Sequence, residues 1–273
     1  IFLPSPQYSG TMLPNRLAGK KIIVVGAAGN LGPSWVESLL QEGATVLSVG
    51  LGVHDDKALQ SLARDYPGSV ASAELDVTID VALGQFLSEL GTSGPIDGIV
   101  FNSGIDSVPG SGKRHLTEYK RNDWNRVFQV NVIGVMSTFN FLIPLLGNPS
   151  SVVMLGSLYG LVSPKPALYS HFDEGRGSLK HPAYGASKAA LVAAARQYGT
   201  HLQPEGIRVN TLTLGGVAAG QDSEFVDKFE QHVPQARMLS IADITPAMVY
   251  LLSDDSRGMT GQNMIVDGGF TAW

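Results

Sequence analysis

An apolar run, Lys21-Ile22-Ile23-Val24-Val25, leads without a spacer into Gly26-Ala27-Ala28-Gly29-Asn30-Leu31-Gly32-Pro33, and this junction constrains the fold more than any other feature. Short β-branched runs favour a strand. Three glycines in the seven residues from Gly26 to Gly32 let the backbone turn sharply, and Pro33 fits a helix only in its first turn. The unit is strand, tight turn, helix. Glycines so placed also let the backbone approach a pyrophosphate, whose charge meets the N–H groups and positive dipole of the helix N-terminus. One glycine would serve the turn; three point to a bound dinucleotide.

The same alternation continues along the chain, without internal repeats, and predicts βαβ units around a parallel sheet. Strands are expected at 21–25, 45–49, 70–74, 98–102, 151–155, 207–214 and 264–267. Helices are expected near 31–42, 56–66, 80–90, 122–146, 183–203, 223–231 and 245–253, the last starting at Thr245 as N-cap with Pro246 behind it. The expected fold is α/β: one doubly wound Rossmann-type domain with seven parallel strands and helices on both faces. Its ligands belong at the carboxyl ends of the strands.

With 273 residues and 44% hydrophobic content, one core suffices, so residues 17–273 are read as one domain behind an N-terminal arm, residues 1–16. Pro4, Pro6 and Pro14 and the lack of a basic n-region argue against a signal peptide in that arm. A net charge of −5, with no basic run longer than two residues, argues against nucleic acid or an anionic membrane as partner. The apolar span 128–146 is interrupted by Gln129, Asn131, Ser137, Asn140 and Pro144, which favours a buried helix over a membrane span. No cysteine is present, so disulfides and thiolate chemistry are excluded, in keeping with a cytoplasmic location. Six histidines show no metal-ligand spacing, and no metal is expected. Glu74, Asp76, Asp173 and Glu174 do not announce a pair of carboxylates for glycoside hydrolysis, since their separation in space is not legible.

Tyr184 and Lys188, four residues apart in an alanine-rich stretch, project from one helical face. An ammonium beside a phenol favours the phenolate, so this tyrosine is a candidate general acid or base. In dinucleotide sites the end of the second strand normally carries an acid for a ribose 2′-OH or a base for a 2′-phosphate. Here Gly50 stands there, in Ser48-Val49-Gly50-Leu51-Gly52. Lys57 and His54 read as solvated surface groups.

Taken in order, these motifs resemble the short-chain dehydrogenase/reductase family from about Leu17 to the C-terminus. Asp76-Val77 is similar to the family's adenine-contacting acid, and Asn102-Ser103-Gly104 to its Asn-Ala-Gly element. Asn131, Ser157, Tyr184 and Lys188 match its catalytic tetrad, and Arg208-Val209-Asn210 and Val266-Asp267-Gly268-Gly269-Phe270 match later landmarks. Departures are Gly29, one position early, Val25 for threonine, Phe101 for asparagine and Leu214 for proline before Gly215.

The resemblance implies reversible hydride transfer between a nicotinamide cofactor and a carbonyl or secondary alcohol. Tyr184 would move the proton, Lys188 would lower its pKa and bond the nicotinamide ribose, Ser157 would bond the substrate oxygen, and Asn131 would hold a water linking Lys188 to solvent. Cofactor contacts are expected from Gly26, Gly29, Asn30, Leu31, Gly32, Gly50, Asp76, Val77, Asn102, Ser103, Gly104, Tyr184, Lys188, Gly215 and Val217. NAD(H) is slightly favoured over NADP(H), for want of a cation near Gly50. Nucleotide-sugar epimerisation or dehydration by internal redox cycling, and non-catalytic dinucleotide sensing, remain open.

The step from Ser157 to Tyr184, 27 residues, is long for the family, so an insertion at about 161–183 is expected over the active site. Lys165, Tyr169, Ser170, His171, Asp173, Glu174, Arg176, Ser178, Lys180 and His181 make it polar. It is similar to inserts of a subgroup linked to bacterial surface-carbohydrate biosynthesis, which implies a sugar-like substrate. The alternative is a solvated excursion above an apolar pocket. A homodimer or homotetramer is expected through the helices carrying Asn131 and Tyr184.

Overall fold

The computed structural model describes residues 15–90, 94–107, 115–172 and 180–273. The arm before Asn15, and Asp173, Glu174, Arg176 and Ser178 of the insertion, lie outside the described residues. Seven strands, β1 (Lys21–Val25), β2 (Thr45–Gly50), β3 (Val70–Glu74), β4 (Ile96–Phe101), β5 (Leu146–Ser157), β6 (Ile207–Leu214) and β7 (Asn263–Val266), form one sheet. Its order is β3-β2-β1-β4-β5-β6-β7, with every neighbouring pair parallel. The order reverses between β1 and β4, which opens a crevice at the carboxyl edge.

Helices α1 (Gly32–Gln41), α2 (Lys57–Asp65) and α8 (Ile241–Leu252) cover one face, and α3 (Asp80–Leu90), α4 (Arg121–Phe128), α5 (Val135–Leu142) and α6 (Pro182–His201) the other. A short helix α7 (Ser223–Glu230) lies beyond β6. Strand alternation feeds two separate cores: Ile22 and Val24 pack with Trp35, Leu39 and Met248, whereas Ile23 and Val25 pack with Phe139, Leu142 and Leu191. This two-sided burial is why β1 is apolar throughout. Each fully buried large side chain contributes about 1.5–3 kcal/mol. A third, smaller cluster of Leu158, Leu168, Tyr169, Phe229, Val233, Met238 and Phe270 lies apart from both.

Beyond shifts of one or two residues at several element ends, three differences from expectation stand out. Helix α8 begins after Ser240, because Asp243 accepts from both the N–H and the hydroxyl of Ser240, at 2.7 Å each, and takes a two-pronged bond from Arg237. That cap outcompetes Thr245, and Pro246 is tolerated inside the helix. Strand β5 starts at Leu146 rather than Ser151, since Leu146 pairs with Ile96 across a register shift in β4. The expected helix at 122–146 runs from Arg121 to Leu145 but widens to a π-helical stretch at Gln129–Gly134. By length and composition this run could cross a membrane. Here Val127, Asn131, Val135, Phe139 and Leu142 are wholly buried in the fold.

Candidate active site

At the carboxyl edge a cleft of about 820 Å³ runs continuously from the glycine loop to α7. The loop is drawn against β2, where the Val49 carbonyl accepts from the N–H groups of both Gly26 (2.7 Å) and Ala27 (3.1 Å). Gly26 has φ +85°, and a Cβ there would stand 2.5 Å from the Ser103 nitrogen. A Cβ on Gly32 would overlap the Ala27 carbonyl, so Gly32 serves close packing behind the wall rather than the wall itself. Asn102 ties the two sides together, donating to the Gly26 carbonyl (2.7 Å) and accepting from the Trp35 indole (3.0 Å). No side chain caps the N-terminus of α1. A loop with glycine at 26 and 29 in its wall, in front of an uncapped helix start, is what a pyrophosphate requires, so a dinucleotide fits these residues.

The remaining expected contacts fall along the same wall. Asn30, Leu31, Gly50, Val77, Gly104, Gly215 and Val217 line it, with Asp76 at one end. The Thr78 hydroxyl and N–H, bonded to Asp76 at 2.7 and 2.9 Å, hold its carboxyl below the usual range. Gly50 has φ +151°, and a Cβ would lie 3.3 Å from the Gly26 Cα.

Ser157, Tyr184 and Lys188 meet further along. Ser157 ends β5, while Tyr184 and Lys188 sit one turn apart on α6, whose N-cap His181 accepts from the Ala183 N–H. The Lys188 ammonium lies 5.9 Å from the centroid of the Tyr184 ring and donates to the Leu155 carbonyl at 2.8 Å. Burial pushes Lys188 down to about 8. Asn131 is fully buried in the π-helical stretch. Its amide accepts from the Ile105 N–H (2.8 Å) and donates to the Ile105 carbonyl and to Ser187 Oγ, at 2.9 Å each. It thereby clamps the loop after β4 to α6, and it is not part of the cleft wall.

Lys188 is joined by a second cation, Lys180, beside the Tyr184 ring. Burial raises this phenol, and the opposing influences are a hydrogen bond with Ser157 and the charge of Lys180. Lys180, in the insertion, lies 5.7 Å from the Tyr184 ring centroid and bonds Asp106 at 2.7 Å. Burial works against the Asp106 carboxylate, but Lys180 and the Ser107 hydroxyl outweigh it and hold the carboxyl below its usual value. The Asp106 charge in turn disfavours the Tyr184 phenolate. Neither residue stands in a motif; only the fold joins them.

Of the insertion's described polar residues, only Tyr169 and Lys180 line this cleft. Lys165 lies over the Phe270 ring, and His171 bonds Asp222 at the start of α7. The wall beside Tyr184 is mixed, with Tyr159 and Tyr169 hydroxyls 2.6 Å apart, and with Phe225, Phe229 and Met238. Burial raises both phenols, that of Tyr159 to about 12. Among the described residues no group of three potential metal ligands occurs.

The family model described as enoyl-(acyl carrier protein) reductase matches residues 26–271. The chain is 26% identical to a 3-oxoacyl-[acyl-carrier-protein] reductase of Thermotoga maritima, covering 93% of this chain and 98% of that protein. It is 27% identical to a glucose 1-dehydrogenase of Gluconobacter oxydans, over 95% and 94%. A short-chain dehydrogenase of Leptospira borgpetersenii, solved with bound NAD+, superposes with a TM-score of 0.81 at 24% identity, over 93% of each chain. Together with the cleft, these matches establish that the chain belongs to the NAD(P)-dependent short-chain dehydrogenase/reductase family, oxidoreductases of alcohols and carbonyl compounds.

Proposed function

We propose that the chain oxidises a secondary alcohol, or reduces the corresponding carbonyl, of a polar, sugar-like substrate, with NAD(H) as the preferred cofactor. The carrying observation is the convergence of Ser157, Tyr184 and Lys188 in a cleft continuous with the glycine loop. The nicotinamide supplies or accepts the hydride when bound. Tyr184 Oη moves the proton at the substrate oxygen, and the Ser157 hydroxyl stabilises charge developing there. Lys188, fixed on the Leu155 carbonyl, orients the ribose and exchanges protons, a role suited to an amine pushed down to about 8. Asn131 holds the two halves of the site in register, with its amide bonded to Ile105 and Ser187.

A sugar-like substrate is favoured by the mixed wall. Asp106, Lys180, Tyr159 and Tyr169 offer partners for hydroxyls, while Phe225, Phe229 and Met238 suit the C–H face of a ring. The names of the relatives point both ways, to a sugar and to an acyl chain. Tyr184→Phe tests the assignment: turnover should fall about 10²–10⁴-fold with dinucleotide affinity within a few fold. Retained turnover refutes it. A panel of sugars, polyols and apolar ketones tests the substrate class, which fails if the apolar ketones are turned over best.

Association through the α4–α5 run is also proposed. Trp124, Ile133 and Phe141 are 37%, 49% and 42% exposed there, an apolar face suited to a second copy. Sedimentation as a monomer at micromolar concentration would exclude it.

A further inference from the structure

Strand β2 ends at a point where this backbone cannot carry a recognition side chain. The Val49 carbonyl holds the N–H groups of Gly26 and Ala27, which brings the two turns into contact. Gly50 has φ +151°, and a Cβ would lie 3.3 Å from the Gly26 Cα and 3.4 Å from its nitrogen. An aspartate or arginine at that position would be both strained and crowded. Whatever distinguishes the two nicotinamide dinucleotides must therefore come from a neighbouring element.

The residue in register with Gly50 across the sheet is Glu74, the last of β3. It is exposed, and its side chain reaches back over the end of β2, where Oε1 accepts from the Gly52 N–H at 2.7 Å. This bond fixes a carboxylate on the loop that follows Gly50. Cations are less well placed. Glu74, His54 and Lys57 all stand just outside the cleft's lining, and of the three it is Glu74 whose side chain is bonded to the loop after Gly50; Arg126, which does line the cleft, acts on Asp76, helping to hold its carboxyl low.

We propose that Glu74 is the cofactor-selecting residue: its carboxylate, anchored on Gly52 N–H, supplies from β3 the acid that β2 lacks. It would accept a ribose 2′-hydroxyl and repel a 2′-phosphate. The inference rests on the dinucleotide reading of the cleft and deepens it by assigning the preference to a residue outside the glycine loop and the catalytic tetrad. A single carboxylate near a dianionic phosphate, even in water-like surroundings, discriminates by about tenfold, and salt weakens that effect.

The test is a titration of NADH and NADPH, followed by nicotinamide fluorescence, on the wild-type chain, Glu74→Gln and Glu74→Arg. Thermal midpoints confirm that each variant folds. The wild type is expected to bind NADH at least tenfold more tightly than NADPH, with the ratio shrinking as salt rises. Glu74→Gln should bring the ratio to within about threefold, chiefly by improving NADPH binding, and Glu74→Arg should invert it. A wild type that prefers NADPH, or a Glu74→Gln variant that keeps the wild-type ratio, overturns the proposal while leaving dinucleotide binding intact. Failure of the wild type to bind either one overturns the dinucleotide reading itself.

Discussion

The Lys180 ammonium stands 5.7 Å from the centroid of the Tyr184 ring, as near as Lys188 at 5.9 Å, and only Lys180 is neutralised by a carboxylate, Asp106 at 2.7 Å. The Tyr184 phenol, proposed to transfer the proton, thus feels an ion pair whose two members push it in opposite directions. Alcohol oxidation needs the phenolate, so its rate rises as pH passes through the titration of this group. Asp106→Asn removes the charge that opposes the phenolate and should move the rising limb of kcat/KM to lower pH. Lys180→Met should move it higher. Shifts in the same direction, or none, would show that the pair does not act on Tyr184.

The approach of the glycine loop to Ser103 gives a second prediction. Gly26→Ala combines φ +85° with a backbone contact at 2.5 Å, whereas Gly68→Ala has φ +80° and open space around it. Strain alone costs about 1–2 kcal/mol, and overpacking adds about 1–3 kcal/mol. Denaturant unfolding should find Gly26→Ala the more damaging, and calorimetry should find that it alone loses dinucleotide affinity. Equal losses in both variants would mean that the loop yields without cost.

Arg208 carries a structural prediction. Its guanidinium is buried and donates to Ser256 Oγ (2.8 Å) and to the carbonyls of Leu251 and Ser253 (3.1 Å each) and Met259 (3.2 Å). Arg208→Met would remove these bonds from a charged donor, each worth about 1.5–3 kcal/mol, although the carbonyls keep donors in Ser151, Ser256 and Asn210. The variant should unfold at markedly lower denaturant while NADH affinity stays within a few fold. Unchanged stability would mean that water replaces the guanidinium.

The Tyr159–Tyr169 pair should be silent to pH. Burial pushes Tyr159 up to about 12 and Tyr169 higher still, so both remain protonated through the working range. Tyr169→Phe should therefore raise KM for a hydroxylated substrate without adding or removing a limb in the pH profile. A change of profile would assign Tyr169 to proton transfer.

The parts of the fold that were legible are those determined by local pattern. β1, β3 and β6 match the sequence reading residue for residue; for β1 and β6, runs rich in β-branched residues and bounded by turns admit little else. The start of α8 departs from expectation because Thr245-Pro246 offers one plausible cap and Ser240, three residues before Asp243, a stronger one. The widened turn around Asn131 has no local signature; it reflects a side chain drawn to Ile105 and Ser187. In the site, Tyr184 and Lys188 share one helix as their spacing implied, and Ser157 reaches Tyr184 as the family resemblance implied. Asp106, Lys180 and Glu74 stand in no motif, because the contacts that place them, Lys180 with Asp106 and Glu74 with Gly52, are made by the fold.

The small cluster of Leu158, Leu168, Tyr169, Phe229, Val233, Met238 and Phe270 is packed from the insertion, α7 and the C-terminal turn, apart from the two large cores that hold the sheet. Substitutions there disturb mainly one another. Evolution can accordingly exchange one alcohol for another in this region without renegotiating the dinucleotide half. A randomised library confined to these positions should consist mostly of folded, dinucleotide-binding chains whose preferred substrates diverge.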